Sequence, residues 1–504
     1  MPLTSEKLRF TLGLKLKKLR QQAGLSLREL SAQAGLSISY LSEIEKGKKY
    51  PKPEKLLDLA TALGTEFDDL VSMRVGEELN PVTSLFNSDF VQEFPFDLFG
   101  VAAEDLVGLV TDEPRKAGAL VGAFLEIGRT YDVRVEQFLF AALRAYQKLN
   151  VNYFVELEEA AQAFRREHGL DTAAVPMESM AEIYRRLCGV PIDETALSTN
   201  PELSRFRSVL RKGDEPTLFI NERLLPSQKA FVLGREVAYH YLGLEEHAVS
   251  SSWLKVESFE QVLNNFKASY FAGAVLLDRE RLREDLESFR RRERWDRQAF
   301  FDAMAKYDAT PEIFFYRLAQ LLPHLYGTEN FFFMRFNHGP GEEPYALTKL
   351  LNLSKVAVPH AVGLGEAYCR RWPAFSLLRR LAEAGAGSEP PVNARRLRFL
   401  DAGAEFLVVS IARPLALTEG TNTCVSLGLL VDDDLKRALH FVDDPAIERI
   451  DVNLTCERCS LTAAECSDRA APANVVGSRR STERREAALQ ELLRGPSPKS
   501  EGIE

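Results

Sequence analysis

The chain has 504 residues, of which 45% are apolar and 27% charged, and its net charge is −9. At about 100 to 200 residues per domain, this length predicts roughly three to four domains, and the composition excludes collagen-like, disulfide-stapled and wholly disordered chains. No apolar run approaches the roughly 18 residues of a membrane span, and the charged N-terminus holds no signal-peptide core. We therefore expect a cytoplasmic protein without membrane contact.

The net charge is divided unevenly along the chain. Residues 1–55 contain twelve Lys/Arg and five Asp/Glu, so they carry +7 and the remainder carries −16. This asymmetry predicts a small basic module on an acidic body, and a basic module is typical of nucleic-acid binding.

The basic module, residues 1–75, consists of short helical patterns separated by glycine turns. Gly24 ends the first pattern, and Ser26 with Glu29 forms a capping box for the second. Ser37 can then cap a third helix over 38–46. Two helices joined by a tight turn, the second followed by GKKYPKP, predict a helix-turn-helix.

The string LRQQAGLSLRELSAQAGLSISYLSEIEKGKKYPKPEKLLDLATALG resembles the XRE-type helix-turn-helix domains of phage-repressor kind. The resemblance implies that a homodimer binds a double-stranded DNA operator; a protein-binding helical bundle is the alternative. It places a first set of residues at base edges: Leu27, Ser37, Ile38, Ser39 and Ser42. It places a second set at phosphates: Lys17, Arg20, Lys46, Lys48, Lys49 and Tyr50. It places Leu30, Ala34, Leu41 and Ile44 in the core.

Residues 76–170 predict a helical linker or dimerisation region, with a connector over 80–113 and helices over 115–128 and 134–169. Within it, AYQK followed by NYFVELEEAA resembles the short-chain fatty acyl transcriptional regulators. That family couples an XRE head to an ImmA/IrrE-like domain and a cysteine-containing C-terminal domain. The resemblance implies a DNA-binding transcriptional regulator, not an enzyme, that senses a short-chain acyl-CoA and controls genes of propionate or acetate metabolism.

Residues 171–325 correspond to the zincin-like helical domain of that arrangement. An active peptidase needs two His at i and i+4 to bind zinc, with a Glu as general base. The segment PSQKAFVLGREVAYHYLGL has Arg235 and Tyr239 at those positions around Glu236, and FKASYFAGAVLL has Lys267 at the third ligand position. We therefore expect the zinc site to be lost. A metallopeptidase that cleaves a partner repressor, with Glu236 and His240 as ligands, is one alternative, and a phage-type or antitoxin repressor without an effector is another.

A cleft that has exchanged metal ligands for cations suits a phosphate-bearing ligand, because guanidinium and ammonium groups complement phosphate oxygens. The family resemblance implies that this ligand is acyl-CoA. The candidate binding residues are Arg205, Arg207, Arg211, Lys212, Arg235, Tyr239, Lys267 and Tyr270.

Three cysteines form a C-x2-C-x6-C pattern, namely Cys456, Cys459 and Cys466. A tetrahedral zinc ion or a four-iron cluster needs a fourth ligand, for which Cys369 and Cys424 are the candidates. The segment EAYCRRWPAF resembles the C-P-x-W element of the acyl regulators. That resemblance implies a 4Fe-4S cluster held by Cys369 and the three clustered cysteines, with zinc as the alternative.

Residues 326–473 predict an α/β sensor domain of GAF-like kind, preceded by a helix over 300–322, and residues 474–504 predict a charged helix with a disordered end. The fold class is thus multidomain, with a mainly α N-terminal half and an α/β C-terminal domain. Strand-like segments are predicted at 329–336, 355–359, 397–400, 406–411, 424–430 and 439–442.

Overall fold

The computed structural model describes six stretches of the chain: 5–72, 135–247, 258–339, 345–359, 366–384 and 389–494. The predicted connector over 80–113, the predicted helix over 115–128 and the predicted disordered end lie wholly or largely outside these stretches. No helix in them is both long enough and apolar enough to cross a membrane. The chain divides into two compact units, residues 1–146 with 255–262 and residues 147–254 with 263–504.

The basic module of the first unit is helical throughout its described part. Its elements are α1 Ser5–Gln22, α2 Leu27–Ala34, α3 Ile38–Glu45, α4 Pro53–Leu63 and α5 Phe67–Val71. The four residues predicted as core, Leu30, Ala34, Leu41 and Ile44, are all buried in one cluster with leucines of α1 and α4. The helical pattern of this module is therefore confirmed.

Two contacts fix α1 against the rest of the module. A Cβ on Gly13 would lie 2.5 Å from the carbonyl oxygen of Ile44, so only glycine allows α1 to pass this close to the end of α3. Two residues later, Lys15 Nζ donates to the carbonyl oxygens of Asp69 and Ser72 at 2.7 and 2.6 Å. The ammonium therefore satisfies carbonyls at the C-terminal end of α5.

The helices that follow belong mainly to the second unit, and α6 and α11 each contain residues assigned to both units. They are α6 Val135–Leu149, α7 Val155–Glu167, α8 Met177–Cys188, α9 Ala196–Thr199, α10 Pro226–Tyr241, α11 Phe259–Leu276, α12 Arg279–Arg290, α13 Arg297–Ala305 and α14 Pro311–Tyr326. The predicted single helix over 134–169 is wrong, because Val151 and Asn152 adopt positive φ values of 49° and 55°. The Asn152 amide, buried and bonded to Gln147 and to the Ala319 carbonyl, stabilises that break.

A small sheet inserts between α8 and α10. Its strands are β1 Ile192–Asp193, β2 Ser208–Arg211 and β3 Thr217–Ile220. The central strand β3 pairs parallel with β1 and antiparallel with β2. This sheet places Arg207 immediately before β2.

The C-terminal part of the second unit is built on a six-stranded sheet of order β5-β4-β8-β7-β6-β9. The strands are β4 Phe331–His338, β5 Ala346–Asn352, β6 Val392–Phe399, β7 Glu405–Pro414, β8 Asn422–Leu430 and β9 Arg449–Val452, with helices α15 Pro373–Ala384, α16 Asp433–Ala438 and α17 Asn474–Arg494. Neighbours are antiparallel except β6 and β9. The predicted α/β class of this part is confirmed.

The two faces of the large sheet carry different chemistry, because successive side chains of a strand point to opposite faces. One face, with Phe332, Met334 and Phe336 of β4, packs on α15 in a single apolar cluster. The other face carries Phe333 and Arg335, and the Phe333 ring lies 5.5 Å from that of Tyr316 on α14.

Two predicted strands are wrong. Residues 355–359 form an irregular turn, in which the Asn352 side chain accepts from Ser354 and donates to the Val356 carbonyl. Residues 440–443 form a 3₁₀ helix whose Phe441 ring packs on Phe289 at 5.4 Å. Short apolar runs do not distinguish strand from helix by periodicity alone.

Candidate functional site

The second and third helices of the head are started by side-chain caps. Ser26 accepts from the Glu29 N–H, and the Glu29 carboxylate accepts from the Ser26 N–H at 2.7 Å, so the predicted capping box is present. Ser37 caps α3 by accepting from Tyr40 N–H at 3.2 Å. These caps fix the residues at which α2 and α3 begin, and α3 is the predicted recognition helix.

The exposed N-terminal face of α3 carries most of the predicted base-reading residues. Ser37, Ile38 and Ser39 are exposed, Ser42 one turn later is half-buried, and the Ser37 and Ser39 hydroxyls lie 3.2 Å apart. Leu27 differs, since it is half-buried against the core of the head. The face thus presents one apolar side chain among hydroxyls.

Arg20 is used inside the head. Its Nε and Nη2 donate to the Glu45 carboxylate at 2.6 and 3.0 Å, and Nη1 donates to the Leu25 carbonyl. These hydrogen bonds hold the pKa of Arg20 above its usual value. Three of the five N–H groups are therefore committed to joining α1 to α3, and Arg20 is not the free phosphate-binding cation that the sequence analysis predicted.

The other predicted phosphate contacts differ from Arg20 in their exposure. Lys46, Lys48, Lys49 and Tyr50 are exposed, and Lys17 is half-buried. The surface pair of Lys49 with Glu43 at 3.0 Å is worth little, so it leaves Lys49 available to DNA.

A cation that the sequence analysis missed lies beside them. Arg9 of α1 lines a surface cavity of about 470 Å³ together with Leu8, Lys48, Lys49 and Tyr50. The Arg9 Nε is buried and lacks a hydrogen-bond partner among the described residues. Three cations thus line a surface recess whose positive charge suits a DNA phosphate.

The zincin-like helix is α10, and both substituted ligand positions are buried in it. Arg235 donates to the Asn265 side chain at 2.5 Å, while its buried Nε lacks a partner among the described residues. Glu236 contacts His247 at 2.7 Å, and the His247 ring lies 3.8 Å from that of Tyr239. His247 was not predicted, because it lies outside the helix that carries the motif.

Two further candidates take different places. His240 lies one turn after Glu236 on the same side of α10, but it is exposed near the end of the helix, whereas Glu236 is buried and contacts His247 instead. Tyr270 is fully buried, donates to Glu158 at 2.7 Å and accepts from the Phe154 N–H, which makes it part of the core and not of a ligand site. Burial beside the Glu158 carboxylate raises the Tyr270 pKa. Lys267 is half-buried on α11.

The remaining predicted cations flank β2. Arg205 and Lys212 are exposed, and Arg211 donates within the β2–β3 hairpin to the Glu215 carbonyl and to Thr217. Arg207 is half-buried, and burial together with the neighbouring Arg335 lowers its pKa to about 10. Arg207 therefore lies within electrostatic reach of Arg335 and Arg413, two cations on strands of the large sheet.

These cations form a cluster that we call the cationic recess, defined by Arg207, Arg335, Lys349 and Arg413 around Glu312. Arg335 of β4 and Lys349 of β5 are direct cross-strand partners, so their side chains share the face that α14 covers. Arg413 of β7 lies on the same face and is bidentate with Glu312 of α14, at 2.7 and 3.0 Å.

The recess has an excess of positive charge. Among the described residues, Glu312 is the carboxylate within electrostatic reach of Arg207, Arg335 and Lys349, and Arg413 already neutralises it. The pKa of Lys349 is lowered to about 7 by desolvation and by the positive charges of Arg335 and Arg207. Lys349 is nevertheless exposed to solvent, so it belongs to the surface and not to the core. Such a site attracts an anion.

The predicted cysteine ligands come from two segments joined by main-chain hydrogen bonds. Tyr368 and Thr455 form an antiparallel bridge, and Cys456 N–H donates to the Ala367 carbonyl at 2.9 Å. This pairing brings Cys369 beside Cys456 and Cys459. All four predicted cysteines, including Cys466, are buried free thiols.

The other candidate for fourth ligand lies elsewhere. Cys424 is fully buried in β8 and packs with Phe336 in the apolar cluster on α15. Its pKa is raised by burial, and no other cysteine contributes to that shift. By contrast, Cys456 and Cys459 both add to the effect of burial in raising the Cys369 pKa to about 11.

The cysteine loop is held by arginines that the sequence analysis did not single out. Arg458 is bidentate with Glu366, and Arg469 donates to the Cys456 and Leu461 carbonyls. The Ala470 N–H points at Cys456 Sγ, 3.4 Å away, as main-chain donors do toward a ligating sulfur.

The donor chemistry of the four thiols fits a thiolate-ligated group. Within the described ranges, however, no three His, Cys, Asp or Glu side chains are arranged to hold a metal ion. The predicted ligand set remains a prediction on this point.

Two family models match parts of the chain that correspond to the head and to the zincin-like region. A helix-turn-helix model matches residues 16–70, and an IrrE N-terminal-like domain model matches residues 191–319. No curated protein matches. A solved structure, a Mycobacterium tuberculosis transcriptional regulator, is similar at 20% identity and a TM-score of 0.46, over 66% of this chain and 93% of that chain.

The chain therefore carries a helix-turn-helix head of DNA-binding type and an IrrE-like domain. Both predicted domain types are confirmed, whereas the acyl regulator family stays a resemblance. The prediction that the chain is not an enzyme agrees with the head, but a peptidase-like domain leaves it a prediction.

Proposed function

We propose that the chain is a homodimeric transcriptional regulator that binds an operator through its head and a short-chain acyl-CoA through its second unit. The helix-turn-helix match and the exposed cations of the head support operator binding. The proposed target genes are those of propionate or acetate metabolism, as the resemblance to the acyl regulators implies.

The observation that carries the effector proposal is the unbalanced charge of the cationic recess. Coenzyme A bears a diphosphate and a 3′-phosphate, and arginine forks match phosphate oxygens bidentately. Arg207 and Arg235 come from the IrrE-like domain, while Arg335 and Lys349 come from the sheet. A phosphate among them would replace repulsion between like charges by attraction.

The proposed acyl-CoA-binding residues differ from those predicted from sequence, because the structure adds some residues and removes one. Arg207 and Arg235 stay in it, and Arg335, Lys349 and Arg413 join it. Tyr270 leaves it because it belongs to the buried core. The exposed cations Arg205, Arg211 and Lys212 lie on β2 and its flanks, where they can still attract an anionic ligand at long range.

Regulation follows if the ligand binds two arrangements of the chain with different affinity. A ligand shifts such an equilibrium only by its differential affinity for the two states. The expected result is a change in operator affinity at saturating acyl-CoA.

Titration calorimetry of the full chain with coenzyme A, acetyl-CoA, propionyl-CoA and butyryl-CoA tests the effector proposal. Lys349→Met should weaken binding of every thioester by about tenfold or more, because one charge-assisted contact is lost. The matched control is Lys355→Met, an exposed lysine just beyond the end of β5. Equal loss in both variants, or no binding to the unmodified chain, would refute the proposal.

We also propose that Cys369, Cys456, Cys459 and Cys466 hold a 4Fe-4S cluster, with zinc as the alternative metal. Four buried thiols from two paired segments support a soft-metal group. A bound cluster would supply one-electron redox chemistry. Metal analysis and visible absorption of anaerobically purified protein distinguish iron with sulfide from zinc, and Cys424→Ser is the matched control for Cys369→Ser.

An IrrE-type peptidase is the second candidate function. The buried contact of Glu236 with His247 favours it, because it places one imidazole beside the residue that would act as general base. Zinc-dependent cleavage of a partner repressor that Glu236→Ala abolishes would support this function.

A further inference from the structure

The reading face of α3 contains one large apolar side chain. Ile38 occupies the first helical position after the Ser37 cap and is 46% exposed. A single exposed apolar residue needs no explanation on an ordinary surface. This one lies at the N-terminal end of the helix whose early residues reach base edges in the major groove.

The neighbours of Ile38 restrict what the face can read. Ser37 and Ser39 share a hydroxyl contact at 3.2 Å, and Ser42 follows one turn later. Hydroxyls accept and donate without selecting one base strongly, and the amide or guanidinium forks that select adenine or guanine are missing from these four positions. Ile38 is therefore the side chain of this face with the most distinctive chemistry.

In the major groove, the group that complements an exposed aliphatic side chain is the C5-methyl group of thymine. Ile38 is β-branched and sits in the first turn of a capped helix, so its side chain has little rotamer freedom to lose on contact. The Lys49 ammonium, 5.9 Å from the centroid of the Tyr40 ring, adds a cation near this end of α3.

We infer that Ile38 is a specificity-determining residue that reads the C5-methyl group of a thymine in each half of the operator. This inference rests on the DNA-binding function proposed above. It assigns a base preference to a face whose hydroxyls leave the sequence open. A 5-methylcytosine would present the same methyl group at the same place in the groove.

The experiment begins with selection of duplexes from a random pool by the full chain. Each thymine of the selected operator is then replaced by uracil, which removes only the methyl group. Burying one methyl contributes about a fourfold gain in affinity, so a uracil substitution in one half-site should weaken binding by about fourfold, and substitutions in both half-sites by about fifteenfold.

Ile38→Ala should bind the thymine and uracil duplexes equally, because the group that contacts the methyl is gone. The matched control is Leu57→Ala on α4, an apolar side chain that is 53% exposed outside the reading face, and it should keep the full difference. At the sensitive position, 5-methylcytosine should bind more tightly than cytosine.

The outcomes separate this inference from the proposed function. If a sequence is selected but no thymine position is sensitive to uracil, or if Ile38→Ala keeps that sensitivity, the inference is overturned and operator binding stands. If no sequence is selected above the random pool, the DNA-binding function fails and the inference fails with it.

Discussion

Lys349→Met should stabilise the ligand-free protein, although it removes a residue of the proposed binding site. Lys349 and Arg335 are direct cross-strand partners, and the Cβ atoms of such partners lie roughly 4.5 to 5.5 Å apart. At an effective dielectric constant of about 20, two unit charges about 6 Å apart repel by about 3 kcal/mol. Lys349 reaches solvent, and screening reduces the expected gain in the free energy of unfolding to about 1 kcal/mol. Methionine keeps the contact that Lys349 makes with the Tyr316 ring at 3.6 Å.

The gain should depend on pH in a defined direction. The pKa of Lys349 is about 7 in the folded chain, below its usual value, because of burial and of Arg335 and Arg207. Between about pH 7 and 10 the unfolded chain therefore binds more protons than the folded chain, and the free energy of unfolding rises with pH. Lys349→Met lacks this contribution, so its advantage is full below pH 7 and shrinks as pH rises above it.

Urea unfolding at pH 6.5 and pH 9, each at low and high salt, measures these differences. Lys355→Met is the control, with no gain expected. Saturating acyl-CoA at about 100 times its Kd should stabilise the unmodified protein by about 2.7 kcal/mol and reverse the order of the two proteins. A Lys349→Met variant that is less stable than the parent at pH 6.5 and low salt would refute the account of the recess.

Three further predictions concern other parts of the chain. Lys48→Ala should weaken binding to all DNA sequences alike and lower the slope of log K against log salt by about 1; binding curves at several salt concentrations measure it. Arg317→Met should lower the free energy of unfolding by about 3 to 5 kcal/mol, because the buried Glu158 carboxylate loses its bidentate partner. The two hydrogen bonds measure 2.5 and 2.8 Å, and both side chains are 1% exposed. The double variant with Glu158→Gln should lose less stability than the sum of the losses of the two single variants. Ser26→Ala should cost about 1 kcal/mol through loss of the α2 cap, with thermal unfolding of the full chain as the measurement.

The head could be predicted closely from sequence because its signals are short-range. Caps, turn glycines and apolar spacing each act within a few residues, so Ser26, Ser37 and Leu41 were assigned without knowledge of the rest of the fold. Arg20 was misassigned because its partner Glu45 is 25 residues away. A charge pattern shows that a cation exists, but not which carboxylate it meets.

The cationic recess could not be predicted, because it depends on strand register. Arg335, Lys349 and Arg413 lie on three strands whose alignment sets the shared face, and a shift of one residue would move each to the other side of the sheet. Arg235 was predicted because it occupies a ligand position of the zincin-like motif, and Arg207 because it lies in the basic segment SRFRSVLRKG.

The hydrogen bonds from Lys15 to Ser72 join the last described residue of the head to its first helix. The Lys15 ammonium donates to the carbonyl oxygens of Asp69 and Ser72 at the end of α5, so Ser72 is anchored to the first helix. That helix touches the end of α3 through Gly13 and Arg20. The end of α5 is thus linked through α1 to the predicted recognition helix, in addition to its own packing against α4.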